Sequence, residues 1–282
     1  ALFTFIVLIP LILIISGCKQ GKEEVASNGI DVSFIEPAPP SEVSRGQNFP
    51  IYVNLENKGG YDLNPGEARL YLEGLFPTSF SLSLQNLKKT NSELLLKAGE
   101  ETLGGKERVV FTENARYVGS VVPFNQTFIA RSCYLYESSL TTNLCFALDS
   151  SATCSLDGEK TKDSIVSVSP VQITSLTEER SGKNLMIKFK VENLGTGKVY
   201  LPDTNCDSPE PWKENKVVAT FGTGEPVICK TFKSAKSGEV DVDSIVACER
   251  DMENTQAHTS PANINIRFAY IELEQKNVRF TE

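Results

Sequence analysis

The sequence is poor in the residues most enzymes and metalloproteins work with. It contains one histidine, one tryptophan and two methionines in 282 residues. No Cys-x-x-Cys pair occurs, and with His258 alone there is no clustered thiolate or imidazole set, so neither a metal nor a cofactor is expected. No Gly-x-Ser-x-Gly elbow is present, which leaves His258 without a nucleophile partner and reads as a solvated loop histidine. The acidic pairs Glu100-Glu101 and Glu178-Glu179 lie outside any calcium-loop pattern, and Asp241-Val242-Asp243 lacks the rest of one. Gly222-Thr223-Gly224 is not followed by the Lys-Ser/Thr of a phosphate loop and reads as a hairpin turn. A basic surplus is also missing. The net charge is −8 and the pI about 5.0, which argues against a nucleic-acid partner. Long windows of helical periodicity are absent after residue 20.

What is present is alternation. Ile51-Tyr52-Val53-Asn54-Leu55-Glu56-Asn57-Lys58-Gly59 takes apolar and polar residues in turn and ends in Glu-Asn-x-Gly. Ile187-Lys188-Phe189-Lys190-Val191-Glu192-Asn193-Leu194-Gly195 does the same, at a constant offset of 136 residues (187 minus 51). A period of two fits a half-buried strand, and Asn-x-Gly fits the turn that ends it. Two such copies, in a chain long enough for about two domains of ~100–150 residues, predict two β-domains.

Ala1 to Ile15 is apolar except for Thr4 and contains Pro10. A helix running on through Ser16 spans about 24 Å, short of the ~30 Å hydrocarbon core and closer to a signal-peptide core. No initiator Met or basic stretch precedes it, as in a truncated or processed chain. Ile15-Ser16-Gly17-Cys18 resembles the lipobox of lipoprotein signal peptides, which implies lipid attachment at Cys18. A retained membrane helix, or a helix packed in the centre of a filament, are the other uses of this segment. Residues 19–29 are polar and charged and read as a tether.

Further along, strands are predicted at Ile30–Phe34, Gln47–Glu56, Glu67–Glu73, Phe80–Leu84 and Arg108–Thr112. Thr127–Tyr136 and Leu140–Leu148 read as a closing hairpin. The Ser/Asp/Lys-rich stretch 155–170 reads as an interdomain linker, and alternation resumes from Val171. Asn263–Leu273 reads as the closing strand of the second domain.

Beyond Cys18 lie six cysteines, Cys133, Cys145, Cys154, Cys206, Cys229 and Cys248. An even set behind an export-type N-terminus reads as disulfides. A boundary in the linker leaves three on each side, so an all-paired scheme needs a bridge between the domains. The favoured pairing is Cys145–Cys154 and Cys229–Cys248 with Cys133–Cys206 as the bridge, out of fifteen connectivities. Asn125-Gln126-Thr127 is the single N-glycosylation sequon, with Asn125 as the acceptor. Trp212, between Pro211 and Lys213 in a loop, is expected to pack over its own domain's edge, with a binding anchor as the second use.

Pro39-Pro40-Ser41-x-Val43-x-x-Gly46, the alternating strand after it and Glu-Asn-x-Gly at its end resemble the CARDB-like immunoglobulin domains of archaeal and bacterial surface proteins. Cys133-Tyr134-Leu135-Tyr136 with Cys145 and Cys154 is similar to the cysteine-bearing end of such domains in archaeal exported proteins. The resemblance covers residues 30–154 and, more weakly, 171–282. It implies adhesion, presentation or subunit assembly and brings no catalytic residues.

The expectation is therefore an all-β chain: a hydrophobic segment at 1–18, a tether at 19–29, and tandem immunoglobulin-like β-sandwiches at 30–154 and 171–282, joined by a linker at 155–170. The expected function is non-enzymatic: a membrane-anchored protein on the outer face of the cell membrane that binds a protein or glycan. A subunit of a pilus-like filament, self-assembled through the N-terminal helix, is the alternative, and an exported hydrolase is the third reading.

Overall fold

The computed structural model describes residues 28–99, 102–147, 154–156, 158–232, 234, 237–252 and 256–282. The N-terminal hydrophobic segment, Cys18 and most of the tether lie outside them. In the first half the strands are β1 (Ile30–Phe34), β2 (Glu42–Ser44), β3 (Asn48–Asn57), β4 (Ala68–Glu73), β5 (Lys88–Thr90), β6 (Lys106–Arg116) and β7 (Phe124–Phe146). The second half holds β8 (Ile165–Val166), β9 (Val171–Ser181), β10 (Asn184–Asn193), β11 (Lys198–Tyr200), β12 (Lys216–Thr223), β13 (Ile228–Cys229), β14 (Ser237–Asp241), β15 (Ile245–Asp251) and β16 (His258–Thr281). Among the described residues only short 3-10 turns interrupt the strands, so the all-β expectation holds.

The two repeat segments occupy equivalent places. β3 is the middle strand of a three-stranded sheet, β1-β3-β6, and β10 lies inside a four-stranded sheet, β13-β15-β10-β9. Both bury every second residue: Phe49, Ile51, Val53 and Leu55 in one, Leu185, Ile187, Phe189 and Val191 in the other. These small sheets face a third, nine-stranded sheet whose path runs β14-β12-β16-β7-β4-β5, with β2 and β11 also on β16 and β8 on β7. Ring contacts cross the layers in each half: Phe49 with Phe128 at 6.1 Å, and Phe189 stacked on Phe221 at 6.4 Å.

The joint between the halves differs from the sequence expectation. Residues 127–146 do not turn back as a hairpin, and Leu148 lies outside the described residues. Ser138 and Ser139 carry no turn-forming glycine or proline, and β7 runs straight through them for 23 residues. The 24-residue β16 lies antiparallel to it, from His258↔Phe146 to Phe280↔Phe124, with no shift of register. Each long strand therefore begins in its own half and ends in the other. Phe280, at the far end of β16, packs against Phe49, Phe80, Tyr117 and Phe124 of the first half. Phe146 of β7 packs in the second half against His258 and Arg250. One continuous buried apolar cluster spans both halves. Burial of this kind contributes about 1.5–3 kcal/mol per large side chain, so the exchanged residues weigh heavily in both cores.

The stretch read as a linker is also fastened down. β8 pairs with β7 at Leu140 and Thr141. Glu159 accepts from the Leu176 amide at 2.6 Å and from Ser175 Oγ at 2.7 Å. Glu178, whose side chain is fully buried, accepts from the Cys145 amide at 2.7 Å, and Lys160 Nζ lies 3.2 Å from its other oxygen, an ion pair outside hydrogen-bond alignment. Burial raises the Glu178 pKa, and Lys160 opposes that rise. The strand expected at Phe80–Leu84 is instead split between two 3-10 turns, Pro77–Phe80 and Leu84–Leu87, because Pro77 opens a turn and Asn86 caps the second one from Ser83.

Candidate binding cleft

The Glu-Asn-x-Gly ends of β3 and β10 meet the long strands at the centre of the molecule. Gly59 N donates to Asn57 Oδ1 at 3.1 Å, Asn57 Nδ2 donates to Tyr61 O at 2.7 Å, and the Tyr136 hydroxyl donates to Asn57 Oδ1 at 3.2 Å. The second copy repeats each bond: Gly195 N to Asn193 Oδ1 at 3.2 Å, Asn193 Nδ2 to Gly197 O at 2.9 Å, and the Tyr270 hydroxyl to Asn193 Oδ1 at 3.3 Å. The tyrosines take one further bond each, from Tyr61 N and Gly197 N. A β-carbon on Gly59 would overlap the Tyr136 hydroxyl, and one on Gly195 would overlap that of Tyr270. The glycines are thus required by close approach, since φ is not positive at either. Burial pushes the Tyr270 phenol up to about 12 and raises that of Tyr136 further.

Beside the Tyr270 corner a cavity of about 650 Å³ opens. Asp31 and Val32 of β1 form one wall, the Thr196-Gly197-Lys198 turn another, and Ile271 to Glu274 of β16 the back. Tyr200, Pro209 and Arg131 close it from the outer face of the large sheet. Glu272 projects here, its pKa pushed up to about 7 by burial and, secondarily, by the Asp31 carboxylate. Among the described residues neither Glu272 nor Glu274 has an ion-pair partner. The other charges on the walls are engaged: Asp31 with Lys58 at 2.7 Å, Lys198 with Glu214 at 3.0 Å, and Arg131 with Glu73 at 2.7 Å.

A covalent staple holds the outer wall. The three disulfides are Cys133–Cys206, Cys145–Cys154 and Cys229–Cys248, the pairing favoured from the sequence among fifteen. The first joins β7 to the loop 201–210 of the second half and lies in a small buried cluster with Tyr71, Tyr200, Ala269 and Ile271. The loop is pinned onto the first half by polar contacts as well. Tyr71 donates to Asp207 Oδ1 at 2.7 Å, Lys88 Nζ reaches Asp207 Oδ2 at 2.6 Å, and Arg131 donates to Cys206 O at 2.9 Å while lying 3.9 Å over the Tyr71 ring.

The remaining candidates are dispersed. His258 stacks on Phe146 and bonds Glu225 Oε1 through Nε2 at 2.8 Å; its pKa is raised by the Gln256 carbonyl and then by Glu225. Asn125 is exposed at the start of β7, and the sequon's Thr127 hydroxyl donates to Asn277 Oδ1 at 2.6 Å. Trp212 does not pack over an edge: it is 69% exposed on the turn Pro211–Lys213, where the flanking Pro211 and the salt-bridged Lys213 fix the turn with the indole outward. No sequence signal pointed to Glu272, whose neighbours are far apart in the chain. Among the described residues no group of three or more His, Cys, Asp or Glu side chains is placed to hold a metal ion, and no helix is long and apolar enough to cross a membrane.

No family model matches this chain, and no curated protein does. Among solved structures, the secreted serine protease VesC from Vibrio cholerae is similar at 10% identity, with 90% of this chain and 52% of that chain covered. The chain thus spans about half of that protein, and the TM-score of 0.19 carries no argument about fold or activity.

Proposed function

We propose that this chain is a non-enzymatic protein of the cell surface, anchored to the membrane at its N-terminus, that binds a protein or glycan through its loops and sheet edges. The observation that carries this reading is the set of three disulfides, two of which clamp loops onto the shared sheet, because such cross-links persist in oxidising compartments outside the cytosol. The open cleft beside Glu272 supplies a surface for a partner. The CARDB-like immunoglobulin resemblance of residues 30–154 points the same way, as does the lipobox-like Ile15-Ser16-Gly17-Cys18. Asn125 is the site for a glycan in that setting.

A filament subunit is the second reading, favoured by the unbroken apolar run from Phe5 to Ile15. Mass spectrometry of the native N-terminus separates the two. A mature chain beginning at a lipid-modified Cys18 is expected; residues 1–17 retained within an assembled fibre overturn the anchored reading in favour of the filament.

A further inference from the structure

We infer that the edge of β16 beside the cavity is a strand-addition site for an extended peptide that alternates basic and apolar residues. On the side away from β7, β16 is paired by β11 as far as Ile271 and by β2 from Arg279 onward. Between those two contacts its edge has no strand partner among the described residues. The direction of its backbone groups follows from the pairing. Arg279 N donates to Ser41 O, and Thr281 O accepts from Arg45 N, so both residues turn their backbone groups away from β7. Antiparallel strands alternate in this respect residue by residue, and the register with β7 is unbroken. Leu273 and Gln275 therefore also turn N–H and C=O groups outward, into the gap. At its far end the gap is narrowed by Lys276, which pairs with Glu36, so the open part is the Glu272–Gln275 stretch that backs the cavity.

The side chains around this edge select the occupant. An added residue opposite Leu273 shares the outer face with Leu273, Tyr200 and Pro209, an apolar surround in which Leu273 is 58% exposed. Residues on either side of it share the inner face with Glu272 and Glu274, the two carboxylates without ion-pair partners among the described residues. A basic side chain at those positions supplies the missing counter-charge, and returns Glu272 to the ionised form that its burial disfavours. Backbone bonds give the affinity of such an addition and alternate side chains its selectivity. The inference deepens the surface-binding reading and rests on it for the source of the peptide.

The test uses the full chain and a fluorescein-labelled heptapeptide, Thr-Lys-Val-Lys-Val-Lys-Thr, with a peptide of the same composition but its lysines grouped as the comparison. In anisotropy titrations the alternating peptide binds, less tightly as salt rises, and the grouped peptide binds roughly tenfold more weakly or worse. Leu273→Pro removes an outward N–H while leaving the pairing to β7, and abolishes binding. Glu272→Gln, which keeps the backbone intact, weakens it several-fold. By amide exchange, Leu273 and Gln275 exchange fast in the free protein and become protected with peptide. Absence of binding by the alternating peptide, equal binding of both peptides, binding unchanged by Glu272→Gln, or no protection at Leu273 and Gln275 overturns the site. A lipid-modified Cys18 together with any of these failures leaves the surface reading standing without this site.

Discussion

The Tyr136 hydroxyl stands in the space a side chain on Gly59 would need, and it bonds the same asparagine oxygen that the Gly59 amide bonds. Tyr270 and Gly195 repeat the relationship in the second half. Gly59→Ala and Gly195→Ala are each expected to destabilise by about 2–3 kcal/mol through overpacking. Removing the obstructing hydroxyl in Gly59→Ala/Tyr136→Phe restores part of that loss. Urea unfolding of Gly59→Ala, Tyr136→Phe and the double variant measures the coupling; additive losses would refute the contact as its origin.

The exchange of β7 and β16 between halves predicts joint unfolding. Phe280→Ala removes a ring seated among Phe49, Phe80, Tyr117 and Phe124 and costs about 3–5 kcal/mol. The loss appears in one transition sensed equally by Trp212 fluorescence, in the second half, and by amide exchange in β3, in the first. Two separated transitions would contradict a shared core.

Cys133→Ala/Cys206→Ala opens a cross-link spanning 73 residues, and the expected loss is about 4 kcal/mol by chain entropy. Thermal unfolding reads the loss, and faster amide exchange in residues 201–210 locates it on the loop. Cys229→Ala/Cys248→Ala, with a separation of 19, is the milder change, at about 3 kcal/mol.

Glu272 gives a pH signature. Its pKa in the folded state is about 7, above the usual ~4.3 of the unfolded chain. Between those values the folded state binds the extra proton, so this residue lowers stability progressively as pH rises from about 4.5 to 7, with the full cost present above 7. Glu272→Gln is therefore expected to equal wild type near pH 4.5 and to exceed it by about 1–2 kcal/mol at pH 8. Urea midpoints across that range check it, and a variant advantage that grows towards acid would reverse the sign.

Much of the fold could be read from alternation. Phe49 to Leu55 and Leu185 to Val191 bury every second residue as their period requires. The length of β7 could not, because a turn was read into the polar Glu137-Ser138-Ser139, and the reason those residues stay extended lies far away in sequence. Glu137 lies opposite Arg267, Ser138 is buried beside Ser167, and β16 supplies their backbone partners. The cleft was illegible for the same reason: Asp31, Lys198 and Glu272 come together only when the first strand, a mid-chain turn and the last strand are assembled. Cysteine parity did carry long-range information, since three cysteines on each side of the middle left either an odd thiol on each side or a bridge between them, and Cys133–Cys206 is that bridge.

Phe280 follows Phe49 by 231 residues (280 minus 49) and Phe80 by 200 (280 minus 80), yet it fills a space those two rings enclose. During synthesis the first half therefore waits, its core incomplete, until the strand that carries Phe280 has emerged from the ribosome. Any helper that guards the growing polypeptide must then hold both halves open together rather than let go of the first as a finished portion.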